Sequence, residues 1–237
     1  MQVVQCTNKR EAAVQGGGFL SRELVHYVDR PTLLLVSGGS SLDILEYVNS
    51  TSLRSNISFG QIDERWTKDE RFLNAAMFRG TQFFKKSSEQ GLPFIAMNVL
   101  EASTFAECAI QYERYLKQWK SVFQEGVILA LLGIGADGHI AGVMPNPNQP
   151  DEFTAMFYDT RSWVVGYDTK GKGEFPSRAT LSLHFLLQEV TTSFVYACGK
   201  EKKGAMGKLF TADGTLAEIP ARILHEMPSV YLFSDSL

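Results

Sequence analysis

Short, uninterrupted apolar runs alternate along the chain with stretches whose apolar residues recur at helical spacing. Residues 33–36 and 127–132 are continuous apolar runs, the pattern of strands that are buried on both faces of a sheet. Residues 57–62, 162–165 and 193–197 predict three further strands. We therefore expect a central sheet in which most strands are covered on both sides.

The clearest predicted helix covers residues 104–123. Its apolar residues follow the 3.6-residue period, Thr104 and Glu107 form a capping box, and Gly126 ends it. Residues 42–48 and 181–187 predict shorter helices, whereas the proline-rich and glycine-rich residues 146–173 indicate a loop excursion or a lid. Strands alternating with helices predict an α/β fold, with a mostly parallel sheet flanked by helices in three Rossmann-like layers.

Composition and charge exclude several classes of protein. The chain has 237 residues, and its 23 Lys and Arg against 26 Asp and Glu leave a formal charge of −3. A near-neutral chain offers no basic surface to nucleic acid, and no apolar run approaches the roughly 20 residues of a membrane helix. Three scattered cysteines and an N-terminus without a signal-peptide pattern favour a reducing, cytoplasmic location.

Glycine-rich or charged loops follow three of the predicted strands, and in α/β folds ligands bind beyond the carboxyl ends of strands. The loop Ser37-Gly38-Gly39-Ser40-Ser41 stands between a strand and a helix. Its glycines let the backbone approach a ligand, and a helix N-terminus attracts anions. A phosphate site is our interpretation, although serine-capped strand-to-helix turns also have this composition.

A second glycine-rich loop follows the strand at residues 127–132. Gly133, Gly135 and Gly138 match the dinucleotide-binding pattern, but the prolines that follow leave no room for the helix that such a site needs. The pair Asp137 and His139 suits a different chemistry, because a carboxylate can orient an imidazole that takes a proton from water. An ordinary turn is the alternative interpretation. Residues 166–172 resemble a nucleotide loop that lacks the Ser or Thr for Mg²⁺, so we interpret them as a flexible loop.

Taken in order, these motifs resemble the superfamily of 6-phosphogluconolactonases and glucosamine-6-phosphate deaminases. The matching segments are residues 37–41, Asp63-Glu64-Arg65-Trp66 with Asn74, residues 132–141 with Pro145, residues 178–182, Gly199 with Lys202, and residues 220–222. The sequence departs from the superfamily at Leu42, where proline is usual, and at Ile140, where lactonases usually have threonine. Gly142-Val143-Met144 also replaces the usual Ser-Leu-Phe.

The resemblance implies one domain over residues 1–237 that hydrolyses 6-phosphogluconolactone in the pentose phosphate pathway, without a metal or an organic cofactor. His139 would be the general base for water, and Asp137 would orient it. Arg65 would stabilise the oxyanion or anchor a substrate hydroxyl. Asp63 would position Arg65 or the water.

The resemblance also implies a phosphate site and leaves alternatives open. Arg178 and Lys202, with the amides of residues 37–41, would hold the phosphate of a small sugar-phosphate ligand in a monomer or homodimer. Asp63-Glu64-Arg65 is lactonase-like, and no acid follows the signature histidine as it does in deaminases. The alternatives are a glucosamine-6-phosphate isomerase/deaminase and a non-catalytic sugar-phosphate sensor.

Overall fold

The computed structural model describes residues 1–236. The strands are β1 (Gln2–Gln5), β2 (Thr32–Val36), β3 (Ile57–Gln61), β4 (Asp63–Arg65), β5 (Phe94–Ile95), β6 (Val127–Gly133), β7 (Val164–Asp168), β8 (Ser177–Leu181), β9 (Thr192–Tyr196) and β10 (Val230–Ser234). The α-helices are α1 (Lys9–His26), α2 (Asn74–Gly80), α3 (Gln82–Glu89), α4 (Phe105–Val122), α5 (Pro150–Phe157), α6 (Leu183–Gln188) and α7 (Lys203–Leu209). Short 3₁₀ helices cover Gly39–Tyr47, Ser50–Ser52, Glu70–Phe72, Lys200–Lys202 and Pro220–His225.

Seven strands form the central sheet in the order β1-β10-β9-β6-β2-β3-β5, and every neighbouring pair is parallel. Alternate side chains of β2 enter different cores: Leu33 and Leu35 pack on one face, and Leu34 and Val36 on the other. Helices cover both of these faces, since α4 contributes to the first core and α1 to the second. The predicted α/β architecture, with a buried parallel sheet between helices, is confirmed.

The predicted elements match the structure closely where the sequence pattern is strong. Helix α4 begins after Thr104, whose hydroxyl accepts the amide of Glu107 at 3.0 Å, while the Glu107 carboxylate accepts the amide of Ser103 at 2.8 Å. Three predicted elements have wrong boundaries. The strand predicted at residues 162–165 is β7, which covers Val164–Asp168. Residues 42–47 belong to a 3₁₀ helix that begins earlier, at Gly39, and ends at Tyr47. Leu181 ends β8, and Ser182 caps α6.

The interpretation of residues 146–173 as a loop excursion is wrong for about half of the segment, and its role as a lid stays a prediction. The segment contains α5, which places Pro150 in its first turn where a missing amide costs nothing, and it contains β7. Gly166 lies inside β7, where a Cβ would come within 2.5 Å of the Phe105 carbonyl oxygen. This glycine therefore allows close strand-to-helix packing and does not mark a flexible loop.

Helix α1, the edge strand β1 and its neighbour β10 were not predicted. Three consecutive glycines lower the helix propensity of α1, but Gly16 and Gly17 let it pack closely against Ile44 and Tyr47 of the 3₁₀ helix. No helix within residues 1–236 is long and apolar enough to cross a membrane.

The loops that follow β2, β3, β6 and β9 meet at one edge of the central sheet, because these four strands are neighbours and parallel. A second, antiparallel sheet of order β4-β8-β7 lies at this edge. Its strand β4 begins directly after β3, at Asp63, and its strand β8 carries Arg178. Two sheets thus bring distant segments of the chain to the same place.

Candidate active site

One cavity of about 240 Å³ lies at this edge, and nine of the ten predicted site residues line it. They are Ser37, Gly38, Gly39, Ser40, Asp63, Arg65, His139, Arg178 and Lys202. The tenth, Asp137, lines an adjoining cavity of about 620 Å³ that shares His139 and Arg178 with the first. The structure therefore brings the predicted residues together, while their roles stay predictions.

The turn after β6 holds His139 against Asp137. One carboxylate oxygen, Oδ1 of Asp137, lies 2.7 Å from His139 Nδ1 and also accepts the His139 amide at 3.1 Å. The Gly135 amide donates to the His139 carbonyl oxygen at 2.8 Å, which closes the turn. No protein atom within residues 1–236 hydrogen-bonds to Nε2, the other ring nitrogen.

The carboxyl of Asp137 is an ionised partner for the imidazole. Partial burial opposes its ionisation, but the hydrogen bond and the charge of His139 outweigh this effect and lower the pKa of Asp137 to about 2. An ionised carboxylate can only accept hydrogen bonds, so Nδ1 of the neutral ring carries the proton. Nε2 then carries the lone pair, which is the state that a general base requires.

Arg65 and Arg178 lie directly opposite each other across β4 and β8. Like charges in this position destabilise a sheet. Asp63 lies on the same face, two residues before Arg65, and its Oδ2 is 3.3 Å from Nη1 of Arg178. The pair is almost completely buried, with side-chain exposures of 7% for Asp63 and 11% for Arg178.

The predicted positioning of Arg65 by Asp63 is therefore corrected, since the carboxylate pairs with Arg178 and also accepts the Asn74 side-chain amide at 3.2 Å. Arg65 has other partners. Its Nη1 donates to the Phe72 carbonyl oxygen at 2.9 Å, and its guanidinium lies 5.2 Å from the centre of the Phe175 ring. A carbonyl and an aromatic face leave its positive charge uncompensated.

The loop after β2 offers fewer amides than we predicted. The Ser37 amide donates to the Leu131 carbonyl oxygen at 3.0 Å, so it belongs to the sheet and is not available to a ligand. The buried Ser37 hydroxyl has no partner, and the amides at the start of the Gly39–Tyr47 helix have no partner within that helix. Gly39 adopts φ = +76°, which glycine accommodates without strain.

Three glycines make room for functional side chains. A Cβ at Gly38 would overlap the Asn74 side chain, a Cβ at Gly135 would overlap the His139 ring, and a Cβ at Gly142 would lie 2.7 Å from Asp63. The glycine-rich loops thus serve partly to admit neighbouring side chains, in addition to allowing a ligand to approach the backbone.

Glu64 was not predicted as a site residue, although it is completely buried beside the cavity. Its oxygens accept the amides of Arg65, Asn74 and Ala75 and the side-chain amide of Gln61, at 2.7–2.9 Å. Burial raises the pKa of Glu64, and these donors oppose the rise. Glu64 joins β4 to the start of α2 and so places Asn74 next to Asp63. In the sequence, only the position of Glu64 between Asp63 and Arg65 could have suggested this structural role.

Several buried polar atoms near the cavity have no protein partner. They are Ser37 Oγ, Asn74 Oδ1, Arg65 Nε and Arg178 Nε. Buried polar groups are normally hydrogen-bonded, so this concentration indicates a site for a polar ligand. Within residues 1–236, no three His, Cys, Asp or Glu side chains cluster as a metal site would require.

Comparison with known proteins gives a consistent match. Residues 20–232 match the family model described as glucosamine-6-phosphate isomerases/6-phosphogluconolactonase. A 6-phosphogluconolactonase from Borreliella burgdorferi is 24% identical over 215 residues, which cover 87% of this chain and 85% of that protein. A Shewanella baltica 6-phosphogluconolactonase structure has a TM-score of 0.78 at 18% identity, with 99% and 97% of the two chains covered. A monomeric glucosamine-6-phosphate deaminase has a TM-score of 0.73, also at 18% identity, with the same coverage.

Proposed function

Because the chain belongs to the family of glucosamine-6-phosphate isomerases and 6-phosphogluconolactonases, we propose that it hydrolyses 6-phosphogluconolactone to 6-phosphogluconate, a step of the pentose phosphate pathway. The single observation that carries this proposal is the His139–Asp137 pair, with Nε2 unpartnered at a cavity that also holds Arg65, Arg178 and Lys202. One base and several cations suit the attack of water on a phosphorylated lactone. The direct test is hydrolysis of the lactone above its spontaneous rate.

Nε2 of His139 takes a proton from water as the water oxygen forms a bond to the lactone carbonyl carbon. Asp137 keeps Nδ1–H in place and stabilises the imidazolium that results. The uncompensated charge of Arg65 stabilises the developing oxyanion. When the ring C–O bond breaks, the imidazolium returns the proton to the leaving alkoxide, and histidine is neutral again.

The state of Asp63 favours a lactonase over a deaminase. Conversion of an aldose into a ketose needs a second group that moves protons between neighbouring carbons. The Asp63 carboxylate is already engaged by Arg178 and Asn74. In this proposal it holds Arg178 toward the substrate and moves no proton.

We assign the phosphate to Lys202, Arg178, the Ser37 hydroxyl and the amides of residues 38–40. The planar guanidinium of arginine can donate two parallel hydrogen bonds to a phosphate, and lysine supplies a mobile point charge. Helix N-termini attract anions. Binding energy from this remote group orients the carbonyl against His139.

We expect Lys202→Ala to raise KM for the phosphorylated lactone by about 10- to 100-fold, the equivalent of one charge-assisted hydrogen bond. We expect kcat to fall less than KM rises, because the other phosphate-binding groups still orient the carbonyl. Steady-state kinetics with an unphosphorylated lactone provide the comparison. Because that substrate has no phosphate for Lys202 to bind, the substitution should leave its KM unchanged. Lys203→Ala, at the exposed neighbouring residue, is the matched control. An unchanged KM in Lys202→Ala would remove the lysine from the phosphate site.

We expect Gly135→Ala to lower kcat by about 10- to 100-fold, because the new Cβ displaces the imidazole by a fraction of an ångström or more. Gly204→Ala is the control, since a Cβ at this helical residue meets nothing within 4 Å. Steady-state kinetics and thermal unfolding of both variants separate misplacement from loss of stability. Wild-type kcat in Gly135→Ala would show that the ring position is not critical.

A further inference from the structure

The turn that follows His139 is strained. Ala141 has φ = +53°, in the left-handed region that residues with a Cβ rarely adopt. Gly142 follows with φ = +70°, and the Val143 amide donates to the Ile140 carbonyl oxygen at 2.8 Å. A strained conformation persists only when the surrounding structure determines it, and such residues concentrate at functional sites.

Thr180 and Tyr167 hold this turn from the small sheet. Thr180, fully buried on β8, donates its hydroxyl to the carbonyl oxygen of Ala141. Tyr167, on β7, donates its hydroxyl to the carbonyl oxygen of Gly142 at 2.5 Å and accepts the Met144 amide at 3.1 Å. Two adjacent carbonyl groups of one turn are thus bound by two buried hydroxyls.

This turn lies between His139 and the Asp63–Arg178 pair, the two parts of the proposed active site. His139 stands two residues before Ala141, and Gly142 packs so closely on Asp63 that a Cβ there would lie 2.7 Å from the carboxylate oxygen Oδ2. A shift of the turn would therefore move the imidazole relative to the Asp63–Arg178 pair. Burial raises the pKa of Tyr167, so its phenol stays protonated and remains a donor at neutral pH.

We propose that Tyr167 and Thr180 are positioning residues that clamp the strained turn and so fix His139 against Asp137 and the substrate carbonyl. Neither residue touches the reacting atoms. The clamp explains why the strained Ala141 can persist next to the base, since two hydrogen bonds from a separate sheet oppose its relaxation. The inference deepens the proposed lactone hydrolysis and rests on it.

Three variants and two controls test the clamp. Tyr167→Phe and Thr180→Val each remove one hydroxyl with little change of volume, and Thr180→Ser keeps the hydroxyl while losing a methyl group. Tyr196→Phe and Thr32→Val are matched controls, because the buried hydroxyls of Tyr196 and Thr32 donate to carbonyl oxygens outside this turn, those of Lys9 and Arg30.

The readouts are kcat, KM and the NMR signal of the His139 Nδ1 proton in the substrate-free protein. This signal is assigned by its loss in His139→Ala.

We expect kcat to fall by about 10- to 100-fold in Tyr167→Phe and Thr180→Val, with KM unchanged, and to recover in Thr180→Ser. The Nδ1 proton signal should broaden or shift in the first two variants and stay unchanged in both controls. Unchanged kcat in Tyr167→Phe and Thr180→Val, equal losses in Thr180→Ser and Thr180→Val, or an unchanged proton signal would overturn the clamp. Failure of the wild-type protein to hydrolyse the lactone would instead overturn the proposed function, and the NMR readout would still test the clamp.

Discussion

We expect replacement of His139 by alanine to lower kcat for lactone hydrolysis by about 10²- to 10⁴-fold, the range that a positioned general base contributes. The imidazole offers a basic lone pair at Nε2, because Asp137 binds the other ring nitrogen at 2.7 Å. KM should change little, since the phosphate contacts come from other residues. The measurement is a steady-state assay corrected for spontaneous hydrolysis of the lactone.

His26→Ala is the matched control, because His26 lies on the exposed surface of α1. Circular dichroism and thermal unfolding should show that both variants are folded. His139 is one-third exposed, so its removal leaves no buried cavity and should not destabilise the protein strongly. Turnover at the wild-type rate in His139→Ala would remove this residue from the mechanism.

The second large effect concerns stability. We expect Asp63→Asn to lower the free energy of unfolding by about 3–5 kcal/mol, because it leaves the buried guanidinium of Arg178 without its counter-ion and opposite Arg65. Catalytic efficiency should fall too, since Arg178 loses the carboxylate that orients its guanidinium. Urea unfolding of the purified variant measures the first effect, and kcat/KM the second.

The double variant Asp63→Asn/Arg178→Gln separates the two causes. It removes both charges, so it should recover part of the lost stability while remaining inactive. Lys9→Gln is the surface control: the Lys9–Glu201 pair is more than half exposed at 3.9 Å, and such pairs contribute about 0–1 kcal/mol. A loss of stability in Asp63→Asn no larger than in Lys9→Gln would show that the buried pair is not a stabilising element.

The central sheet was predictable because its strands are buried on both faces, which forces continuous apolar runs such as residues 33–36 and 127–132. Helix α4 was predictable for a similar reason, since one of its faces is buried and its N-terminal capping box, Thr104 with Glu107, is visible in the sequence. Helix α1 was not, because its close packing on Ile44 and Tyr47 required the glycines that weaken its local signal. Strand β8 was not predicted, and its pairing with β4 joins segments that are distant in sequence.

The site shows the same division between local and long-range information. The Asp137–His139 pair is local, two residues apart, and the structure forms it. The partner of Asp63 depends on the β4–β8 register, 115 residues apart in sequence, so the sequence alone pointed to Arg65. Tyr167 and Thr180 act through backbone carbonyls, and any hydroxyl at the correct distance could do so; no motif marks such contacts.

Side-by-side assay of 6-phosphogluconolactone hydrolysis and of ammonia release from glucosamine 6-phosphate tests the central claim most directly. Both assays use the same purified protein, and the first is corrected for spontaneous hydrolysis. The proposed single-base mechanism predicts enzyme-dependent lactone hydrolysis that His139→Ala largely abolishes, and no ammonia. Ammonia release without lactone hydrolysis, or tight binding of a sugar phosphate without turnover of either substrate, would contradict it.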